Sequence, residues 1–366
     1  MKIPILNIYY LLCYAWNKLE ESSLVDVKTE DSTTLLDLFA RVLISGTTHI
    51  LKRGLDRGYI THSEAIRGIK GKIDFNTTLK KQLLCNTKVQ CEYDELSYNV
   101  LHNQILKATI KGLICAKDIT IDLRNELLSV YRALNEIEEI KLNPTVFSRV
   151  QLHRNNSFYS FLINVCEMIY NMYLVSEDQG ESKFRDFLRD RASMARLFEE
   201  FVRNFYKKEL PKVASEYKVI GSEIIKWDAV GFDNVSMDYL PSMQTDISIK
   251  TPVKYIIIDT KYYENALQRY YKKDTVRSTN LYQLFAYLKN IENKDESCKD
   301  CEGILLYPTA GYDLDLKYEI QGHKISIRTV NLAKDWQDIH ENLLQLIGVK
   351  EFKNSERSVS DLEIVN

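Results

Sequence analysis

Between Lys254 and Tyr263 the chain reads Lys-Tyr-Ile-Ile-Ile-Asp-Thr-Lys-Tyr-Tyr, and no other segment limits the possible folds as strongly. Ile256, Ile257 and Ile258 are apolar on both faces of a strand, so the strand must be covered on both sides of a sheet. Yet it ends in Asp259-Thr-Lys261. The two-residue period of a strand puts Asp259 and Lys261 on one face, and charges at the end of a buried strand need partners or a metal. The preceding segment, Met243-Gln-Thr-Asp246-Ile-Ser-Ile249, is also strand-like. Lys250-Thr-Pro-Val253 between them reads as a hairpin turn. A four-residue loop at that place pairs Ile249 with Lys254 and Asp246 with Ile257. Asp246 and Asp259 are then diagonal neighbours on one face, roughly 7–8 Å apart. Any even loop length keeps them on that face; an odd loop or a bulge would break the arrangement.

Two carboxylates and a lysine form a chemical unit. Asp246 and Asp259 are candidate ligands of Mg²⁺, a hard cation that prefers oxygen donors and keeps several waters. Such a cation activates water and stabilises charge in phosphoryl chemistry, while Lys261 can orient the attacking water or neutralise a phosphate. The plainer alternative is a surface ion pair on a hairpin. Downstream, Asn280-Leu-Tyr-Gln-Leu-Phe-Ala-Tyr-Leu288 is a helix with a core stripe of Leu281, Leu284, Phe285 and Leu288. Gln283 and Tyr287 are four residues apart on another face, placed to reach the carboxylates or a DNA backbone, or simply to meet solvent.

The rest of the chain sets the frame. At 366 residues it is long for one core, so two domains are expected. The N-terminal stretch Ile3 to Trp16 reads as a buried strand or helix, too short to span a membrane and without a cleavage site. Helical spacing follows over Leu35 to Leu51. Residues 57 to 94 read as strands and turns, helices resume near Ser97, read as an N-cap, and a strong apolar stripe runs over 158–175. The polar segment Glu177 to Glu181 suggests a boundary. Beyond it come a helix at 194–209, strands near 218–226, 243–249 and 254–262, a helix at 281–291, strands at 303–307 and 324–330, and a helix at 335–347. The expected division is a mixed β and helical module over 1–180, an α/β core over 181–350, and a polar tail over 351–366. The fold class is α+β or α/β. Seven cysteines in no regular framework argue against a disulfide-built secreted protein, which leaves the cytoplasm. The net charge of −2 excludes a generally basic nucleic-acid binder, so any DNA contact must use a local patch.

The residues together resemble a known superfamily. An Asp, then Asp-x-Lys on the next strand, then Gln-x-x-x-Tyr on a helix is similar to the PD-(D/E)XK nucleases of the RecB-like branch. Many of these also carry a Glu on the first core helix, a role open here to Glu199 or Glu200. The resemblance narrows to the McrC family, the nuclease subunit of McrBC modification-dependent restriction systems. It is carried by Ile5-Leu-Asn-Ile-Tyr-Tyr-Leu-Leu-Cys-Tyr-Ala-Trp16, Gly68-Ile-Lys-Gly-Lys-Ile73, Met243-Gln-Thr-Asp-Ile247, Ile257-Ile-Asp-Thr-Lys-Tyr-Tyr263 and Asn280-Leu-Tyr-Gln-Leu284. It implies a partner-docking N-terminal module, a PD-(D/E)XK-type α/β core, Mg²⁺-dependent DNA cleavage, and an AAA+ GTPase hexamer, McrB, that binds modified DNA and the GTP. This chain lacks the Gly-x-x-x-x-Gly-Lys-Ser/Thr phosphate loop, so a GTP requirement must come from another chain. Two other readings stay open: a non-catalytic activator of the GTPase, or a stand-alone RecB-like repair nuclease.

Other signals are weaker. The interval Lys261 to Arg277 carries Lys261, Arg269, Lys272, Lys273 and Arg277 against Glu264 and Asp274, among Tyr262, Tyr263, Tyr270 and Tyr271, which suits phosphate contact and base stacking. With Tyr287, Arg269, Lys272, Lys273 and Arg277 are the candidate DNA contacts; an exposed loop is the alternative. Arg67, Lys70 and Lys72 could meet DNA, an acidic partner or only solvent. Cys298-x-x-Cys301 lacks a second ligand pair for zinc and reads as a solvated loop.

Overall fold

The computed structural model describes residues 3–17, 34–152, 156–173, 190–231, 236–263, 266–270, 273–292, 294, 298–309 and 313–349. The segment 177–181 and the tail from 351 lie outside them. The chain divides into two compact units, one of Glu20–Asp186 and the other of Met1–Leu19 with Phe187–Asn366. The first residues do not belong to the unit that follows them in sequence. The opening segment is a helix, α1 (Ile5–Ala15), and its partners lie at the far end of the sequence. Asn7 Nδ2 donates to the carbonyls of Leu332 and Lys334 at 2.8 Å each. Tyr14 Oη donates to Glu209 at 2.9 Å. The ring of Tyr10 stacks on Trp336 at 4.7 Å. A nearly all-apolar helix needs cover on every side, and the C-terminal unit provides it.

The intervening unit begins with α2 (Leu35–Arg53), whose Thr34 cap accepts from Asp37 N. Strands β1 (Gly58–Ile66), β2 (Lys72–Ile73) and β3 (Val89–Ser97) form an antiparallel sheet in the order β1-β3-β2. Asp74, expected within a strand, instead caps the short helix α3 (Phe75–Lys80), because its Oδ1 accepts from Thr77 N. Helices α4 (Leu101–Cys115), α5 (Ile121–Ala133), α6 (Pro144–Ser148) and α7 (Ser157–Tyr173) follow, and α2, α4, α5 and α7 pack their apolar stripes together. Ser97 is not an N-cap. It ends β3, its hydroxyl accepts from Asn99 N, and α4 begins four residues later.

The second unit continues with α8 (Arg191–Val213), β4 (Lys218–Gly221), β5 (Ile224–Ile225), β6 (Met243–Gln244), β7 (Ile247–Lys250) and β8 (Tyr255–Thr260). A small hairpin of β9 (Gln268–Tyr270) and β10 (Lys273–Thr275) leads into α9 (Ser278–Ile291). Then come β11 (Glu302–Thr309), β12 (Asp315–Ile320), β13 (His323–Asn331) and α10 (Trp336–Leu346). Six strands make one mixed sheet in the order β12-β13-β11-β8-β7-β4. β8, β11 and β13 are parallel, with α9 as the crossover between the first two. β12, β7 and β4 pair antiparallel to their neighbours. Tyr255, Ile257, Leu305 and Tyr307 face α9 and pack on Leu284 and Leu288. Ile256 and Ile258, equally buried, face the opposite side, toward which α8 and α10 pack. The expectation of an Ile-rich strand covered on both faces is met.

The hairpin register differs from the sequence-based expectation. Ile249 pairs with Ile256, not Lys254, and Lys250 pairs with Tyr255. The four-residue turn is Thr251 to Lys254, closed by Thr251 N to Lys254 O at 2.9 Å and by the Thr251 hydroxyl accepting from Lys254 N at 3.0 Å. A hydroxyl that can bond back into its own turn wins over the position assigned from the Pro252 context. The shift is even, so the face shared by Asp246 and Asp259 survives. Continuing the ladder one residue beyond Ile247 and Ile258 brings the two aspartates opposite each other rather than diagonal.

Candidate active site

β7 and β8 are antiparallel, so the start of one lies beside the end of the other. Asp246 precedes β7, and Asp259 is the penultimate residue of β8. Asp246 Oδ2 accepts from the backbone N–H of Thr260 at 2.7 Å and from its hydroxyl at 2.8 Å. The variable residue of Asp-x-Lys thus holds the other aspartate. Lys261 extends the sheet through its N–H to Leu306 O at 2.9 Å. Its Nζ lies 2.6 Å from Asp259 Oδ2, and the other oxygen of this fully buried carboxylate, Oδ1, has no hydrogen-bond partner.

Burial pushes Asp259 up to about 7; Lys261 opposes the rise, and Asp246 and Glu199 reinforce it. Lys261 is pulled down by burial but held above its ordinary value by Asp259, Asp246 and Tyr287. Negative charge therefore crowds here faster than one lysine offsets it. The sequence left Glu199 and Glu200 as equal candidates. In the fold Glu199 is the one near the carboxylates: burial and then Asp246 raise its pKa, while Arg203 opposes. Arg203, one turn along α8, pairs with Glu199 and donates Nε to Asp246 O at 3.1 Å. The i to i+4 spacing was visible in the sequence; the contact with the Asp246 main chain was not.

Gln283 and Tyr287 do share a face of α9, and Gln283 Nε2 donates to Tyr287 Oη at 2.6 Å. Tyr287 is only 5% exposed and belongs to the sheet–helix core. Its pKa is raised by burial, then by Asp259 and Asp246, against the Gln283 hydrogen bond. Its phenol therefore sits in the sheet–helix core, within the field of both aspartates. Tyr307 of β11 stands nearby, raised by burial and by Asp259, with its hydroxyl accepting from Asn280 Nδ2 at 3.0 Å. No local pattern marks Tyr307, because only the β8–β11 pairing brings it in.

The other candidates separate. Arg269 and Lys273 belong to the β9–β10 hairpin, Lys272 lies outside the described residues, and Arg277 stacks on Tyr263 with its Cζ 4.3 Å from the ring centroid. Lys70 lies over Tyr93 at 3.9 Å and pairs with Glu95 at 3.5 Å, occupied within its own sheet. Cys298 and Cys301 do not form a solvated loop. Both are buried, and Cys301 Sγ lies 3.4 Å from His323 Nδ1. Charged neighbours in sequence hid a turn that folds inward.

The donor set fits a hard divalent cation: two carboxylates on one sheet face, one of them buried with an orphaned oxygen. Among the described residues, no group of three or more His, Cys, Asp and Glu side chains converges on one point.

Comparison with known proteins adds the family. Residues 7–308 match a family model described as McrBC 5-methylcytosine restriction system component. The chain is 34% identical over 344 residues to the type IV methyl-directed restriction enzyme EcoKMcrBC of Escherichia coli (strain K12), covering 94% of this chain and 97% of the relative. Its fold is similar to a chain in the refined half-complex of a tetradecameric assembly of Thermococcus gammatolerans McrB AAA+ hexamers with bound McrC. That match has a TM-score of 0.57 and 16% identity, and covers 94% of this chain and 76% of the other.

Proposed function

Because the chain belongs to the McrBC 5-methylcytosine restriction family, we propose that it is the DNA endonuclease subunit of such a system, hydrolysing phosphodiesters at Asp246, Asp259 and Lys261 with Mg²⁺. The observation that carries this reading is the buried Asp259 carboxylate, one oxygen paired with Lys261 and the other orphaned, beside a second carboxylate. Burying two carboxylates against a single lysine is costly, and a divalent cation held by Asp246 and Asp259 would offset that cost. When bound, it would supply Lewis acidity toward the phosphate and a lowered pKa for water.

The chain's own groups do the rest. Thr260 fixes Asp246 through two hydrogen bonds, and Arg203 ties the Asp246 main chain to α8. Lys261, held protonated by the aspartates, offers its ammonium to a phosphate oxygen or to the attacking water. Gln283, bonded to Tyr287, presents an amide at the rim of the site. α9 and the sheet exclude water from the inner side of the carboxylates, which strengthens every charge interaction there.

The partner in this proposal is an AAA+ GTPase of the McrB kind, which binds the modified DNA and the GTP. Three features support it: the family, the missing phosphate-loop motif, and the apolar surface of the Glu20–Asp186 unit. Tyr59, Ile69, Phe75, Leu79 and Leu84 are all exposed there, side chains of the kind that protein interfaces cover. The test is cleavage of modified plasmid DNA by this chain with the GTPase of the same system, Mg²⁺ and GTP. Wild type is expected to cut only with GTP, and Asp259→Ala to lose cutting while still stimulating GTP hydrolysis. Undiminished cleavage by Asp259→Ala would sink the site assignment. Stimulation without cleavage by the wild type would make the chain an activator only.

A further inference from the structure

Tyr263 lies two residues beyond Lys261, and two guanidinium groups converge on its ring. Arg277 Cζ is 4.3 Å and Arg191 Cζ 5.0 Å from the centroid. The two arginines come from segments more than eighty residues apart. Arg191 is the first residue of α8, and Arg277 immediately precedes α9, so both helices begin here with their positive ends. The ring also lies 6.1 Å from that of Tyr307, the tyrosine that feels the charge of Asp259. The cluster is therefore a direct neighbour of the carboxylate site.

Among the described residues no carboxylate pairs with either guanidinium, and Arg277 Nε is buried without a hydrogen-bond partner. Asp190, next to Arg191, is engaged in capping α8, with its Oδ2 accepting from Ser193 N at 3.2 Å, and Asp274, three residues before Arg277, pairs through its backbone with Arg269 in the β9–β10 hairpin. Two like charges brought to one ring repel, and the quadrupole of a single tyrosine offsets that repulsion only in part. A multivalent anion bound by both arginines offsets it fully, and guanidinium forks match phosphate oxygens.

We propose that Arg191, Tyr263 and Arg277 form a phosphate-binding subsite that grips the DNA backbone one or a few nucleotides from the scissile phosphodiester. This rests on the nuclease reading above and extends it by naming a second contact with the substrate. Tyr263 positions the two arginines, and the arginines hold the phosphate.

The test uses the complex with its GTPase and a labelled modified duplex, with Ca²⁺ in place of Mg²⁺ so that binding is read without cutting. Affinity is measured against salt for wild type, Arg191→Gln, Arg277→Gln, the double variant and Arg277→Lys. Each Gln substitution is expected to reduce the slope of log affinity against log salt by about 0.9, the value for one lost phosphate contact, and the double variant by about twice that. Arg277→Lys keeps the charge and is expected to keep most of the slope. With Mg²⁺, KM for DNA should rise in the Gln variants. Slopes and KM equal to wild type would overturn the proposal. So would a loss in Arg277→Lys equal to that in Arg277→Gln, because it would assign the effect to packing on Tyr263. If wild type itself fails to cut, the nuclease reading falls; if wild type cuts through Asp259 and the arginine variants match it, only the subsite falls.

Discussion

Asp259 carries the largest electrostatic consequence of any single side chain in the site. Its carboxyl is raised from 3.8 to about 7, chiefly by burial. A group that binds its proton more tightly in the folded state contributes stability at low pH and loses it as pH rises through the folded value. The metal-free protein should therefore lose stability between about pH 4 and pH 7, by on the order of 4 kcal/mol if the whole shift is expressed. Asp259→Asn cannot ionise and should not show this loss. Denaturant melts of both proteins in a chelator, across that pH range, are expected to diverge in favour of the variant as pH rises; parallel curves would remove the ionised buried carboxylate from the account. Adding Ca²⁺ at pH 8 should raise the melting temperature of wild type and not of Asp259→Asn.

At the scale of elements, the site depends on how closely α9 approaches the sheet. Gly303 of β11 makes that approach possible. A methyl there would lie 2.9 Å from Leu284 Cδ2 and 3.0 Å from Leu288 Cδ1. Leu284 and Leu288 are fully buried on the face that also carries Tyr287, so they cannot swing away without moving the helix. Gly303→Ala should cost about 1–3 kcal/mol of stability, as overpacking does. It should also lower cleavage, because displacing α9 moves Gln283 and Tyr287 relative to Asp259. Urea melts and cleavage rates check this; wild-type stability in the variant would show that the leucines repack freely. The hairpin of β7 and β8 shows the complementary principle. Its turn chose Thr251 to Lys254 over the neighbouring frame by local hydrogen bonds, yet the even shift left the paired carboxylates on one face.

At the scale of the whole molecule, the first helix is the distant element that completes the unit carrying Asp246 and Asp259. Asn7 is buried, and its amide holds two carbonyls just after β13. Asn7→Ala would leave both carbonyls without that donor, a loss of about 1–3 kcal/mol. Hydrogen exchange should show weaker protection in α1, α8 and α10, with the Glu20–Asp186 unit unchanged. Equal loss in both units would argue against the division described here. Helix α1 therefore matters to the unit that holds Asp246 and Asp259, although more than 160 residues of another unit intervene.

Much of this was legible in the residues alone. Three isoleucines ending in Asp-x-Lys require a buried strand with a charged end, since burial on both faces and strand parity are properties of local sequence. The same parity put Asp246 and Asp259 on one face whichever even turn formed, and the helical spacing of Gln283 and Tyr287 joined them on one side of α9. What only the tertiary structure decided depends on contacts between distant segments. These include the choice of Glu199 over Glu200, the grip of Arg203 on Asp246, the approach of Tyr307, the inward fold of Cys298 and Cys301, and the transfer of α1 to the C-terminal unit. A side chain's neighbours across a sheet or between helices are set by the packing of whole elements, and no window of sequence contains both partners.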